Sequence, residues 1–578
     1  MSTKKMVLGM LFLSVILLLP WIFVGDFYTK GEPREAGTVL SIIQDGRWII
    51  PTSYADEIGY KPPMMHWLIA GASMLVGGVR EWTARLPSAL GLIGLCMIAL
   101  TIVLKRKGSK IAVLTTLLLL TGFEMHRSAL ECRVDMTLAF FMGAALFGLY
   151  LWEEKRLKGY PIFTTLCLIA ATLVKGPVGF LLPALVFGVY LLLRGYSFGK
   201  AFLKSFIVAI PALLVLGVWY FLAWKQAGTY FLHVAFAENF GRVLGLGVQD
   251  LGIQYDLGHT APFWFYPPAL FIGLMPWSLF LIPMAVVFDW KRWSASLPLK
   301  TSFSDWKKRF KDMDGFTLFA WLVVVLFILF YSLSVSKRSV YILPVYPFVA
   351  YLLSKPFIWV SEEHPRILKN GMKALGVLVV LFLIAFAALF FVDATAFFSK
   401  FKVDAPTLHD LGLLQKTFSQ PSWMTVLGWT QLLLVFCLLF FVKKRWFPSN
   451  KGLYGLFALF ISFQLFLEAS VFPSYKNGHT SKPFAEQIET KYDLNNKGYV
   501  MNNLLEYRNM YGLNFYLGHH FQNFEKVFPQ DGFLVIGGKS LDKVRSTYAK
   551  NYQFIELERS SPYNDLKDEI VVCKIVAR

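Results

Sequence analysis

The sequence predicts a mainly α, polytopic transmembrane helix bundle of about 13 spans, followed by a small α/β domain. Three observations lead there. Hydrophobic residues make up 56% of the chain and charged residues only 16%, against roughly 25% charged in soluble folds. Apolar runs of membrane-spanning length recur along most of the chain. From about Phe472 onward the composition turns ordinary and water-soluble.

The predicted spans run over 5–25, 83–104, 110–124, 135–152, 160–174, 177–193, 204–223, 265–288, 316–334, 339–355, 372–392, 424–442 and 451–471. In the first, Lys4 and Lys5 precede an apolar stretch from Met6 to Val24. That stretch is long for a signal-peptide core and no small-residue cleavage site follows, so it reads as a retained span. The third and fifth runs are short. Met64–Gly78 is apolar but only about 15 residues long, which suits a helix lying in the interface or packed on the bundle.

A net charge of +20 does not require nucleic acid. Lys and Arg gather in the loops 105–110, 153–158, 194–204, 289–315, 355–371 and 443–451, and the 289–315 loop holds seven of them. The alternate loops hold few. This positive-inside pattern puts the N-terminus in the cytoplasm. An odd span count then puts the C-terminal domain outside. Calling 64–78 a span would invert every later loop.

Two domains follow: a transmembrane domain over 1–471, with long outside loops at 26–82, 224–264 and 393–423, and a soluble α/β domain over 472–578. The first loop holds an amphipathic helix, Pro33–Asp45, with Val39, Ile42 and Ile43 on one face, Pro33 at its first position and Gly46 as its stop. In the soluble domain Gly498–Met501, Phe533–Ile536, Phe554–Leu557 and Ile570–Ile575 read as strands, with helices near 503–517 and 540–550. The five cysteines show no CxxC or Cys/His spacing, so neither a zinc site nor a disulfide framework is indicated.

Polar groups at the outside ends of the spans mark a candidate site. Glu32, Arg34 and Glu35 follow the first span, and Lys61 sits in a Lys-Pro-Pro turn. Arg133 and Asp135 stand before the fourth span, and Lys175 lies in the tight turn VKGPV. His259 precedes the eighth span, and Lys337, Arg338 and Tyr341 lie in SVSKRSVYILP. Cations in short outside turns oppose the positive-inside tendency. Lys and Arg at an interfacial pocket suit a phosphate headgroup; the bland alternative is snorkelling toward bulk lipid.

Acids beside the cations point to catalysis, with Glu32 and Asp135 as the candidates. Each has a structural alternative: Glu32 as a helix cap, favoured there by the dipole, and Asp135 as an ion-pair partner of Arg133. His259 read alone is a surface histidine, and Tyr341 and Trp277 are belt residues. No ligand cluster demands a metal, which leaves room for a divalent cation without requiring one.

At these residues the sequence resembles the ArnT-like branch of the GT-C membrane glycosyltransferases, which also includes protein O-mannosyltransferases. The matching stretches are EPREAGTVLSIIQDGRWIIPTSY, KPPMMHWLIA with EWTARLPSAL, CRVDMTLAFF, LVKGPVGFLLPAL, HTAPFWFY with LMPWS, and SLSVSKRSVYILPVYPFVAYLL. The resemblance implies a GT-C fold with the ArnT-like count of thirteen spans, in a bacterial inner (cytoplasmic) membrane. It implies an inverting transferase whose substrate is a sugar on polyprenyl (undecaprenyl) phosphate, with a lipid A-like or other envelope acceptor. Arg34, Lys61, Lys175 and Tyr341 fall where members surround the lipid-linked phosphate, His259 falls at a matched loop position, and Asp135 matches an acidic one. Members usually show Asp-Glu at the start of the first-loop motif, the Asp being the favoured catalytic acid. Here the pair reads Gly31-Glu32, so either Glu32 takes over or the base lies elsewhere.

Two other readings share these features. A protein O-glycosyltransferase would use the same donor with a polypeptide acceptor. A transporter or flippase of lipid-linked sugars would place ionisable residues near the bilayer midplane, where these spans carry almost none. The implied partners are membrane lipids, the donor and an envelope glycolipid or protein, with no nucleic acid.

Overall fold

The structure is a computed structural model that describes residues 2–55, 57–241, 259–289, 312–389, 391–419, 423–442, 444, 452–502 and 507–578. Most of the 289–315 and 443–451 loops, and residues 242–258 of the second long loop, lie outside the described residues.

The chain is a helical bundle with a small sheet near its C-terminus. Helix α1 (Thr3–Leu18) opens where the Ser2 hydroxyl accepts the Lys5 N–H at 3.4 Å, an N-cap that satisfies one orphan donor. After a 3-10 turn at Leu19–Phe23, α2 (Gly31–Asp45) runs two residues further N-terminally than its sequence pattern indicates. Pro33 is therefore its third residue. The helix ends, as the pattern predicts, at Gly46, which takes φ 67°, a conformation that suits glycine. Val39 and Ile42 are buried, while Ile43 turns outward.

A two-stranded antiparallel ribbon, β1 (Thr52–Tyr54) and β2 (Glu57–Ile58), follows. The short helix α3 (Met64–Leu75) has 12 residues, about 18 Å at 1.5 Å per residue and too short to span a bilayer. The bundle continues through α4 (Glu81–Lys107), α5 (Ser109–Thr121), α6 (Phe123–Ala129), α7 (Val134–Glu154), α8 (Ile162–Lys175), α9 (Val178–Leu193) and α10 (Phe198–Phe236).

Packing of α4 on α7 depends on glycine. A Cβ at Gly94 would lie 2.6 Å from the Phe140 ring, and one at Gly143 would lie 2.6 Å from Leu95 Cδ1. Small residues let membrane helices approach where no hydrophobic drive from water exists.

Among the described residues eight helices are long and apolar enough to cross a membrane, or nine if the bent pair Phe263–Gly273 and Trp277–Val287 is one span. Length and hydropathy alone therefore stop short of thirteen. Shorter apolar helices at Ser109–Thr121, Ile162–Lys175, Val178–Leu193 and Val426–Phe441 occupy four of the remaining predicted positions.

Three boundaries move. The predicted span at 265–288 is bent by 98° where Pro276 interrupts it. The second long loop is helical through Phe236, with a kink at Gly228 (φ 65°, ψ −159°). The 355–371 loop is instead a break at His364 between helices Tyr346–Glu363 and Pro365–Ala388. Those helix ends are polar, so hydropathy alone truncates them.

The C-terminal sheet has the order β4-β3-β5-β7-β6, with β3 (Gly498–Val500), β4 (Gln522–Asn523), β5 (Asp531–Gly537), β6 (Tyr552–Arg559) and β7 (Ile570–Ala577). β3 pairs parallel with β4 and β5; β5, β7 and β6 pair antiparallel. The four strands read from sequence are present, and β4, two residues long, is the addition. A helix at Gly538–Thr547 matches the second predicted helix. The first shrinks to Tyr511–Tyr516, and 503–506 lie outside the described residues.

This sheet unit clasps the loop after α1. Lys482 pairs with Asp26 at 3.0 Å and Glu81 at 3.4 Å. The Tyr511 hydroxyl donates to Glu57 at 2.7 Å, and Asn502 donates to the Tyr54 carbonyl at 3.3 Å. α2, the ribbon and the sheet unit thus cover the end of the bundle where α4 and α7 begin and α8 ends.

Candidate active site

Four charged groups lie at that covered end. The first is buried. Arg85, four residues into α4, donates from Nε to Glu32 Oε1 at 2.8 Å and from Nη2 to Oε2 at 3.3 Å. It also donates to the carbonyls of Gly25 at 2.7 Å and Asp26 at 3.1 Å. The Cys132 N–H donates to Glu32 Oε1 at 3.0 Å. Both side chains are almost inaccessible, at 0% and 2% exposure. Burial works against the Glu32 carboxylate, but Arg85 holds it below the usual carboxyl range. Glu32, a candidate catalytic acid from sequence, has its carboxylate engaged by Arg85 and Cys132 and does not line the pocket described next. An Arg inside a span is costly unless paired, so Arg85 was the signal that one acid nearby was already engaged.

The second group lines an open pocket walled by Arg34, Glu35, Glu57, Tyr60, Lys61 and His66 among others. Arg34 Nη2 donates to Glu35 Oε1 at 2.7 Å, Lys61 Nζ lies 3.7 Å from the same oxygen, and His66 Nε2 bonds Oε2 at 2.8 Å. Burial opposes the charge on Glu35, yet Lys61, Arg34 and His66 hold its carboxyl well below the ordinary range. Glu57, on the pocket wall, is held by Tyr511 and by Asn509, at 2.7 and 3.3 Å.

The third group joins two spans and a turn. Lys175, at the end of α8, forms an ion pair with Asp135 in the first turn of α7. The Lys175 ammonium stands 4.0 Å over the Tyr341 ring, close enough for a cation–π contact. Gly176 (φ 78°) turns the chain sharply after Lys175. The charges of Lys61 and Arg133 also act on Asp135, so Lys61 links this group to the pocket.

The fourth group centres on Glu131. Arg133 pairs with Glu131, leaving Asp135 to Lys175. The Tyr28 hydroxyl donates to Glu131 at 3.2 Å, and Arg127 bridges Glu131 at 3.6 Å and Glu124 at 2.8 Å.

The remaining predicted residues diverge. Lys337 is 4% exposed and donates from Nζ to the Ala261 carbonyl at 2.9 Å and to the Ser334 carbonyl. Its backbone N–H donates to the His259 carbonyl at 2.9 Å. Lys337 therefore staples two turns together, and burial pushes its ammonium down; its donors are engaged by carbonyls. His259 contributes its carbonyl to that staple, and its side chain is exposed outside the four groups. Arg338 is exposed at the head of the next 3-10 helix. The structure thus pairs Asp135 with Lys175 beneath Tyr341 and sets Arg34 and Lys61 on Glu35, with Lys61 and Arg133 close enough for their charges to act on Asp135. His66 was missed as a site residue, and Glu35, named at this end of the bundle, was given no role, although it stands four positions after Gly31 and so on the same helix face. Among the described residues no group of three or more His, Cys, Asp or Glu is placed to hold a metal ion.

Comparison with known proteins shows what this arrangement is similar to. The family described as dolichyl-phosphate-mannose-protein mannosyltransferase matches residues 60–224. The fold aligns with ArnT from Cupriavidus metallidurans bound to undecaprenyl phosphate, over 99% of this chain and 98% of that one, with TM-score 0.66 at 17% identity. The chain has an ArnT-like fold. An undecaprenyl phosphate-alpha-4-amino-4-deoxy-L-arabinose arabinosyl transferase of Proteus mirabilis is 24% identical over 61% of this chain and 60% of its own length. A protein of Aquifex aeolicus is 28% identical over 66% of this chain and 71% of its own. The chain therefore spans about three fifths of the arabinosyl transferase. Within the ArnT-like fold, the mannosyltransferase match begins at Tyr60 and takes in Lys61, Asp135 and Lys175.

Proposed function

We propose that the protein moves a sugar from a polyprenyl phosphate, undecaprenyl phosphate in a bacterial membrane, to a lipid A-like or other cell-envelope acceptor. The observation that carries this reading is the meeting of Lys175, Asp135 and Tyr341 with Lys61 and Arg34 at one end of an otherwise apolar bundle. The donor's tail stays among the helices while its sugar-phosphate reaches the charged end. The positive-inside charge pattern supports an extracytoplasmic site, a cytoplasmic N-terminus and an extracytoplasmic sheet unit.

In the transfer the bond from the anomeric carbon to the phosphate oxygen breaks, and its electron pair leaves with the phosphate. The second pKa of the departing phosphate is near roughly 6, so it needs no general acid. Lys175, Lys61 and Arg34 stabilise the growing charge, as prearranged cations do in group transfer. The acceptor oxygen attacks from the opposite face and inverts the centre. A hydroxyl acceptor gives its proton to Asp135, since Glu32 is occupied by Arg85. A phosphate acceptor is already ionised and needs no base.

The mannosyltransferase match over 60–224 favours a second reading, a protein hydroxyl as acceptor. Incubating purified protein with labelled undecaprenyl-phosphate sugars and with lipid A or peptide acceptors, followed by mass spectrometry of products, separates the two. Absence of transfer from every polyprenyl-phosphate sugar would sink both. With a hydroxyl acceptor, Asp135→Asn is expected to slow transfer by about 10²–10⁴; a near-normal rate would remove Asp135 as the base.

A further inference from the structure

We propose that Glu35, held by His66, is a positioning residue that presents Arg34 and Lys61 to the donor phosphate; this rests on the donor-site reading above. Glu35 divides its two oxygens. Oε1 takes both cations, Arg34 at 2.7 Å and Lys61 at 3.7 Å, while Oε2 takes His66 Nε2 at 2.8 Å. An ionised carboxylate only accepts, so the His66 proton belongs on Nε2. His66 is 4% exposed, and among the described residues its Nδ1 has no hydrogen-bond partner. The Nε2–H of His66 is thus spent on Glu35 alone.

That arrangement suits a post rather than a proton acceptor. Two cations bear on one oxygen, and their charges hold the carboxyl well below its usual range despite burial. Of the two acids on the pocket wall, Glu57 is held by Tyr511 and Asn509, so Glu35 is the one paired with both cations. Arg and Lys side chains are long, and freezing them on binding costs affinity unless they are already ordered. Glu35 also sits one turn after Gly31, on the same face of α2, and its partners commit it to ordering the cations.

The test is a double-mutant cycle read by titrating undecaprenyl phosphate into purified full-length protein in nanodiscs. Glu35→Gln in the wild-type background should weaken binding by at least about fivefold. In an Arg34→Ala/Lys61→Ala background the same change should have no further effect, because the groups it orders are gone. Equal weakening in both backgrounds would make Glu35 a general structural residue and overturn the proposal. Unchanged or tighter binding by Glu35→Gln would overturn it too, leaving Glu35 as a charge that merely opposes the phosphate. His66→Gln, which keeps a donor at the Nε2 position, should bind like wild type, whereas His66→Phe should match Glu35→Gln. Identical behaviour of the two His66 variants would remove His66 from the assignment. If Arg34→Ala/Lys61→Ala itself binds as tightly as wild type, the donor-site reading falls and takes this one with it, a result distinct from the others.

Discussion

The two ends of α4 use the same kind of bond for different purposes. The helix has 27 residues, about 40 Å of length. Near its start Arg85 is wholly buried, with every hydrogen-bonding direction toward Glu32 or a carbonyl. At its end Arg106 donates to Glu154 at 2.7 Å and Lys107 lies 2.6 Å from Asp314, and just beyond, at the start of α5, Lys110 pairs with Glu362. The acids there are 35–49% exposed. A buried pair organises structure because neither partner tolerates losing the other. An exposed pair is screened and exchanges readily with water. The candidate site occupies the ground between, with Lys175 21% and Asp135 14% exposed: dry enough for charge to matter, open enough for a ligand.

The largest expected effect comes from breaking the buried end. Arg85→Ala leaves Glu32 uncompensated and should cost about 3–5 kcal/mol, seen as a fall in melting temperature or in the yield of folded protein. Replacing both partners with apolar residues should recover much of that loss. A fully stable Arg85→Ala protein would refute the contrast between the two ends. Lys175→Ala comes next: loss of one charge-assisted contact, about 1.5–3 kcal/mol, should weaken undecaprenyl phosphate binding roughly ten- to hundredfold while leaving the melting temperature near wild type.

The interface between the sheet unit and the first loop gives a smaller, pH-dependent effect. His519 bridges Thr52 Oγ1 at 3.4 Å and Asn514 Nδ2 at 2.8 Å. Burial pushes its imidazole down to about 4 from an ordinary 6.5. An unfolded chain therefore binds the proton before the folded one does. The stability this group contributes is complete above pH 6.5 and declines as pH falls from 6.5 toward 4. Thermal melts across that window should show the decline, and His519→Asn, which tolerates the local φ of 66°, should flatten it. An unaltered slope would assign the decline to other groups. The smallest effect is expected at the far end of α4, where Arg106→Ala should cost no more than about 1 kcal/mol; a larger loss would erase the distinction between the ends.

Much of the candidate site was legible because topology made it anomalous. Lys175, Lys337 and Arg338 stood out as cations in short outside turns, where few are needed; the structure pairs Lys175 with Asp135 and turns Lys337 onto carbonyls. What sequence could not rank was the competition among acids and bases for one another. Glu32, Glu35, Glu131 and Asp135 all lie at one end, and local pattern says nothing about which cation each will meet. Asp135 pairs with Lys175 from the next helix rather than with Arg133 two residues away, because α7 and α8 lie side by side. Lys337 had the right charge in the right turn, but carbonyls close on it from a segment 76 residues distant.

The sequence by itself determined the membrane bundle, the appended sheet and the end of the molecule that carries the charge, because each follows from composition and period along the chain. Tertiary structure alone decided which carboxylate is buried against Arg85 and which faces the pocket. Glu32 and Glu35 are three residues apart on one helix, yet their roles separate, because an ion pair depends on distances that only packing sets.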